Sequence, residues 1–124
     1  MSPIPLWLPW VTTPSRAARR RLWEQQPTAV FVAGDVMALG AIRALTHLGA
    51  AVPHDCSVVA FGNPDSIGYS TPAVTTIDLP VAEAGRIAVD LVLRHIAGQE
   101  ETEVKTLNTT LLVREATNWV MGDG

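Results

Sequence analysis

Residues 29–49, AVFVAGDVMALGAIRALTHLG, pass from a short apolar run through Gly34 and Asp35 into a longer apolar-rich segment that stops at Gly49. The run TAVFVA at 28–33 is apolar and β-branched without alternation, the pattern of a strand covered on both faces. From 35 to 48 the spacing becomes helical. Ala38, Ala41, Ile42, Leu45 and Leu48 form one stripe, and Gly49 suits the residue just past a helix C-cap. A strand thus feeds a helix across one carboxylate. In parallel α/β sheets, ligands bind beyond the carboxyl ends of the strands, which is where Asp35 stands. Two compatible roles follow. As an N-cap its carboxylate accepts a first-turn amide, a contact worth about 1 kcal/mol. Its second oxygen can accept from a polar ligand, where a charge-assisted hydrogen bond is worth roughly 1.5–3 kcal/mol.

Outward from this unit, the same alternation continues. PSRAARRRLWEQQ at 14–26 reads as a helix, with Thr13 as cap, Pro14 in the first turn and Ala18 and Leu22 facing inward. SVVAF at 57–61 is a second strand, GNPDSIGYSTPA at 62–73 a turn-rich loop, and VTTI at 74–77 a third extended piece. DLPVAEAGRIAVDLVLRHIAG carries a helix over 80–97 closed by Gly98, with Asp78 in capping range and Glu83 suited to the first-turn dipole. A last strand is expected within 106–115, and the tail 119–124 is short, with Trp119 available to dock. Strand–helix–strand order indicates βαβ units, hence an α/β, Rossmann-like and mostly parallel sheet with flanking helices.

One chain of 124 residues, 48% apolar, 17% charged and 6% aromatic, fits a single aliphatic-rich domain. A net charge of −3 argues against a nucleic-acid surface as the main feature. Arg16, Arg19, Arg20 and Arg21 read as a solvated helix face, since no helix–turn–helix, zinc-ligand or RNA-recognition pattern accompanies them. Cys56, the single cysteine, fits a reducing compartment. MSPIPLWLPWV at 1–11 is apolar, but Pro3, Pro5 and Pro9 exclude a helix and the run is too short to span a bilayer. It reads as part of an extended lead-in over 1–13 rather than a targeting signal, so a cytoplasmic protein with no membrane partner is expected.

Catalytic chemistry finds no support in the sequence. His47, His54 and His95 lack metal-ligand spacing, Ser57, Ser66 and Ser70 lack a nucleophile-elbow pattern, and no phosphate-cradling loop occurs. The expectation is therefore no enzyme, no metal and no cofactor. In AFGNPDS at 60–66, Gly62 permits unusual backbone conformations, and Asn63 and Asp65 suit either an Asx-turn or a ligand contact. Tyr69 either packs the loop or stacks on a ligand. Beside its core stripe, the helix after Asp35 carries Val36, Leu39, Gly40 and Arg43 on an adjoining face. That face suits either a subunit interface or a neighbour within the chain.

The stretches PTAVFVAGDVMALGAIRAL, VPHDCSVVAF, TPAVTTI and LLVRE, in this order and spacing over 27–118, resemble the lac repressor/gal repressor family of bacterial transcription regulators. VTTPSRAARRRL extends the likeness weakly upstream. Members of that family join a DNA-binding headpiece to a two-lobed effector-binding core of the periplasmic-binding-protein type, and the similarity is to the last third of such a protein. The resemblance implies a partial lobe over 14–118, with helix 80–97 matching the other lobe, 75–77 matching a crossover and 106–115 a returning strand. It implies that Asp35 hydrogen-bonds a small-molecule effector, often a sugar; Gly62, Asn63 and Tyr69 are kept beside it as ligand candidates from the residue reading above. It also implies a homodimer contact through the helix that begins there, including Leu39, Ile42 and Arg43, to which the adjoining-face reading adds Val36 and Gly40. Three positions depart from the family pattern: Gly34 replaces an asparagine, Gly62–Asn63 replaces an acidic pair, and Leu79 replaces a polar residue. Each change removes a hydrogen-bonding side chain from the expected cleft. The expected function is effector sensing and dimerisation within a repressor, with operator DNA reached only through a headpiece that these residues do not contain. A solute-binding protein of an uptake system is the alternative.

Overall fold

The computed structural model describes residues 23–99 and 104–119. Among these residues, four strands form one sheet in the order β1 (Ala29–Val32), β2 (Ser57–Phe61), β3 (Thr75–Asp78), β4 (Thr110–Leu112). The first three are parallel and β4 runs antiparallel to β3. Helix α1 (Asp35–His47) crosses from β1 to β2, a 3-10 helix (Asp65–Tyr69) sits between β2 and β3, and helix α2 (Val81–Ile96) follows β3. The mostly parallel α/β sheet expected from strand–helix alternation is the architecture found. The helix expected at 14–26 lies outside the described residues except at its end, where Trp23 and Glu24 are helical and the Gln26 N–H donates to Trp23 O at 2.9 Å.

Register explains which side chains are inside. Val30 pairs with Val58, Val32 with Ala60, Ala60 with Thr76, and Thr76 with Leu112, so these residues share one face. The α1 stripe Ala38, Ile42 and Leu45 packs on that face, together with Ile67 of the 3-10 helix and Cys56 and Val74 at strand starts. Leu45, Ile67, Val58 and Val74 are almost completely buried, and each such aliphatic side chain contributes about 1.5–3 kcal/mol relative to exposure. Ala44 is buried as well, which widens the stripe beyond the expected set, whereas Ala41 and Leu48 lie at its edges, half-buried. Gly49 takes a φ of +82° just past the C-cap Leu48, as its position predicts.

The opposite face of the sheet carries Phe31, Val59, Phe61, Ile77 and Leu111. Phe31 is 60% and Leu111 58% exposed. Coverage of β1 on both faces, expected from its unbroken apolar run, therefore holds on one face among the described residues. The cause is topological: α1 lies on one side, and α2 packs on none of the other described elements. Helix α2 has no buried residue, and Val81, Leu93 and Ile96 are mostly exposed. Its polar strip is Glu83, Arg86, Asp90 and Arg94, with Arg94 Nη2 and Asp90 Oδ2 2.9 Å apart.

Other details differ from expectation. Pro80 is the N-cap of α2 and no side chain caps it; Asp78 instead closes β3. Strand β4 is three residues long, shorter than the 106–115 run, because residues from Val113 onward exchange ladder bonds for side-chain and loop bonds to β3 and the chain before it. Trp119 does not dock and is 91% exposed. Among the described residues, no helix is long and apolar enough to cross a membrane.

Candidate functional site

The carboxyl ends of β1 and β2 bring Asp35 and Gly62 together. Gly34, extended at φ −162°, is the N-cap of α1, and its carbonyl accepts the Ala38 N–H at 3.1 Å. Asp35 is consequently the first helical residue and not the cap. Its Oδ1 still accepts a first-turn amide, that of Val36, at 2.5 Å. Its Oδ2 lies 3.7 Å from the position a Cβ would occupy on Gly62. Gly62 has φ +106°, a conformation that side chains disfavour, and its N–H donates to Ile77 O at 3.0 Å. This left-handed turn carries the chain off β2, clasps it to β3, and turns Asn63 inward.

Asn63 does not form an Asx-turn. Its Oδ1 accepts from Arg114 Nη2 at 2.9 Å and from Thr76 Oγ1 at 3.4 Å, and its Nδ2 donates to Asp78 Oδ1 at 3.2 Å. Arg114 Nη1 also donates to Val74 O at 2.9 Å and Thr76 Oγ1 at 3.1 Å. Its backbone N–H donates to Thr75 Oγ1 at 2.9 Å. Arg114 thus ties β3, the returning segment and the loop after β2 into one polar network. It was missing from the sequence-level candidates. The available signal was phase: in TLLVR, Leu112 and Arg114 share the inward parity of the strand, and a cation there requires buried acceptors.

The rest of the loop is arranged around Ile67. Asp65 is exposed at the start of the 3-10 helix, and Ser70 Oγ donates to Ile67 O at 2.8 Å and Pro72 O at 2.9 Å. Tyr69 does not pack the loop: it is 87% exposed, because Ile67 already fills the inward position. On α1, Val36 and Arg43 are exposed, Leu39 and Gly40 are half-buried, and Ile42 belongs to the core. Leu39, Ile42 and Arg43 line an open groove of about 260 Å³ with Ser70 and Thr71 on its far side.

Two titratable groups away from Asp35 are shifted by their surroundings. Asp55 is held below the ordinary carboxylate range by the Ala51 N–H and by His54, whose Nδ1 lies 2.8 Å from Asp55 Oδ1. Burial, with the Asp55 charge beside it, pushes the Cys56 thiol up to about 11. Among the described residues, no group of three or more His, Cys, Asp or Glu side chains could hold a metal ion.

The arrangement has known counterparts. A family model for the periplasmic binding protein-like domain matches residues 4–117. The transcriptional repressor PurR of Edwardsiella ictaluri (strain 93-146) is 46% identical over 78 residues, 63% of this chain and 23% of that protein. The lac repressor dimer bound to operator and the anti-inducer ONPF is similar with a TM-score of 0.72 and 36% identity, over 80% of this chain and 30% of its own. A LacI family transcriptional regulator from Enterococcus faecium with bound ribose has a TM-score of 0.72 and 31% identity, over 82% of this chain and 38% of its own. The chain spans about a quarter of the length of the curated relatives it matches, 23% and 28% for two PurR repressors. The chain belongs to the periplasmic binding protein-like domain family, and its relatives there are transcriptional repressors of the lac repressor/gal repressor type.

Proposed function

We propose that this chain forms part of the effector-sensing and dimerisation core of a cytoplasmic transcriptional repressor, and that it takes a small sugar-like molecule at Asp35. The observation that carries the reading is the state of the Asp35 carboxylate. One oxygen serves the first turn of α1, while the other stands beside Gly62 where β1 and β2 end. An acceptor so placed suits a hydroxyl donor. Gly62, Asn63 and Tyr69 complete the lobe's wall in this reading. Residues 14–118 form the working unit, with α2 matching the partner lobe, and 1–13 and 119–124 serve as lead-in and tail.

The groove-bearing face of α1, with Val36, Leu39, Gly40, Ile42 and Arg43, is the homodimer contact. An effector that binds two lobe arrangements with different affinities shifts their populations. A dimer then couples that shift to operator contacts made by residues outside these 124. No step in this scheme is catalytic. Repressor function is favoured over solute uptake because the named relatives are repressors.

Calorimetric titration of the chain with ribose and a panel of pentoses, hexoses and disaccharides tests the proposal, comparing wild type with Asp35→Asn. Asparagine keeps an acceptor for the Val36 amide but loses the charge. Melting should therefore be unchanged, while affinity falls by roughly 1.5–3 kcal/mol. Equal affinity in the variant removes Asp35 from the site, and binding of none of the panel removes the sugar assignment.

A further inference from the structure

We infer that α2 is a self-association surface whose apolar stripe pairs antiparallel with α2 of a second copy of this chain, the two backbones meeting closely at Gly85. The face is the one assigned above to the other lobe, and in this chain the second copy takes that lobe's place. The effector reading plays no part in the inference. Helix α2 spans 16 residues and buries none of them. Ala82, Gly85, Val89, Val92 and Ile96 recur at alternating spacings of three and four, so they line one face of the helix. Val89, Val92 and Ile96 are each more than half exposed, and α2 packs on no other described element. A helix with such a stripe draws its stability from a surface that covers it.

Gly85 is the residue that the rest of the chain leaves unexplained. Glycine inside a helix is less favourable than alanine. Its φ is not positive, and a Cβ placed on it would meet no atom within 4 Å among the described residues. A missing side chain there permits another backbone to come close. Size and charge then fix the direction of that backbone. The first half of the stripe is small, Ala82 and Gly85, and the second half is larger, Val92 and Ile96. Antiparallel pairing about Val89 sets Ala82 against Ile96 of the second copy and Gly85 against its Val92, large into small at both ends. Parallel pairing would set small on small and leave a void. Arg86 and Asp90 flank the stripe on one side, Ala84 and Ala88 on the other. Like flanks face each other in an antiparallel pair, so Arg86 of each copy meets Asp90 of the other, which also holds Arg94 of its own helix at 2.9 Å. In a parallel pair both charges would face alanines.

The test uses the full chain carrying Leu39→Asp, which takes the α1 face out of the measurement. One helix pair of about 24 Å covers less than the roughly 1,600 Å² of a standard interface, so association should appear only at micromolar concentrations and above. Sedimentation across that range should show a monomer–dimer equilibrium. Val92→Asp should weaken it at least about tenfold, the effect of losing one buried aliphatic side chain. Gly85→Leu favours the helix yet blocks close approach, so it should weaken association to a similar extent while circular dichroism keeps its helical signal. Direction is read by mild oxidation of cysteine variants, with Cys56 buried in all of them. Ala82→Cys and Ile96→Cys chains should form a disulfide-linked dimer when mixed and none when oxidised separately. The pair Glu83→Cys and Arg94→Cys, at matching levels on the polar strip, should not cross-link. A chain that stays monomeric at every concentration, or association unchanged in Val92→Asp, overturns the pairing. Undiminished association of Gly85→Leu overturns the close approach, and cross-linking of Ala82→Cys with itself overturns the antiparallel direction.

Discussion

Replacing Gly62 and Gly68 separately with alanine should move stability in opposite directions, although the two glycines are six positions apart in one loop. Gly62 sits at φ +106° with only Asp35 Oδ2, at 3.7 Å, near a new methyl group. The space is adequate, so the cost is backbone strain, about 1–2 kcal/mol for a left-handed conformation with a Cβ. Alanine also restricts the unfolded chain, which returns about 0.4–1 kcal/mol. The net expectation for Gly62→Ala is destabilisation of about 1 kcal/mol. At Gly68, inside the 3-10 helix, no positive φ is present and the nearest atom is Arg114 Nη2 at 3.9 Å. There the unfolded-state gain stands alone, and Gly68→Ala should stabilise by about 0.4–1 kcal/mol. The difference of 1 kcal/mol or more corresponds to at least about 4 °C in melting temperature for a domain of this size. Thermal and urea unfolding followed by tryptophan fluorescence measures it directly. Equal shifts for the two variants, or a stabilised Gly62→Ala, would refute the assignment of strain to the turn after β2.

Three further outcomes are expected. Leu45→Ala, which empties a position only 1% exposed at the centre of the core, should lower stability by about 2–5 kcal/mol in urea unfolding. Leu39→Asp places a charge in the α1 groove and should shift sedimentation toward monomer, with a helical circular-dichroism signal retained; an unchanged dimer would count against that face. The Cys56 thiol rises from 9.0 to about 11 in the fold, so the unfolded chain ionises first. Stability should therefore fall as pH climbs from 9 to 11, and Cys56→Ala should flatten the difference curve across that interval.

The elements dominated by one periodicity were readable from residues alone. The α1 stripe of Ala38, Ile42 and Leu45 has a single helical reading, and SVVAF occupies residues 57–61 as drawn from its composition. Boundaries set by long-range partners were not readable. Strand β4 ends at Leu112 because the Arg114 backbone bonds the Thr75 side chain, a contact 39 residues away. The 3-10 helix at 65–69 went unseen because its one apolar anchor, Ile67, has no periodic neighbour. At the site, the position of Asp35 beyond a strand end was legible from the strand–helix junction. Its offset from the cap by one residue was not, because Gly34 can take the extended cap conformation that Asp35 was expected to adopt. The inward turn of Asn63 needed Arg114, which local turn chemistry does not reveal. Tyr69 shows the reverse case: its bulk suggested packing, yet the neighbouring Ile67 had already filled the space.

Ala116 bonds two separate strand entrances with the backbone of one residue. Its carbonyl accepts the Val58 N–H at 2.8 Å and its N–H donates to Ala73 O at 2.9 Å, with the methyl group fully enclosed. On a ribosome, β1 and α1 emerge many residues before this stitch exists. The nascent domain must then wait, sheet unfastened, until the stretch from Arg114 to Thr117 clears the exit tunnel, and a pause in translation ahead of that point would lengthen the interval in which its bare strands are open to holdase chaperones.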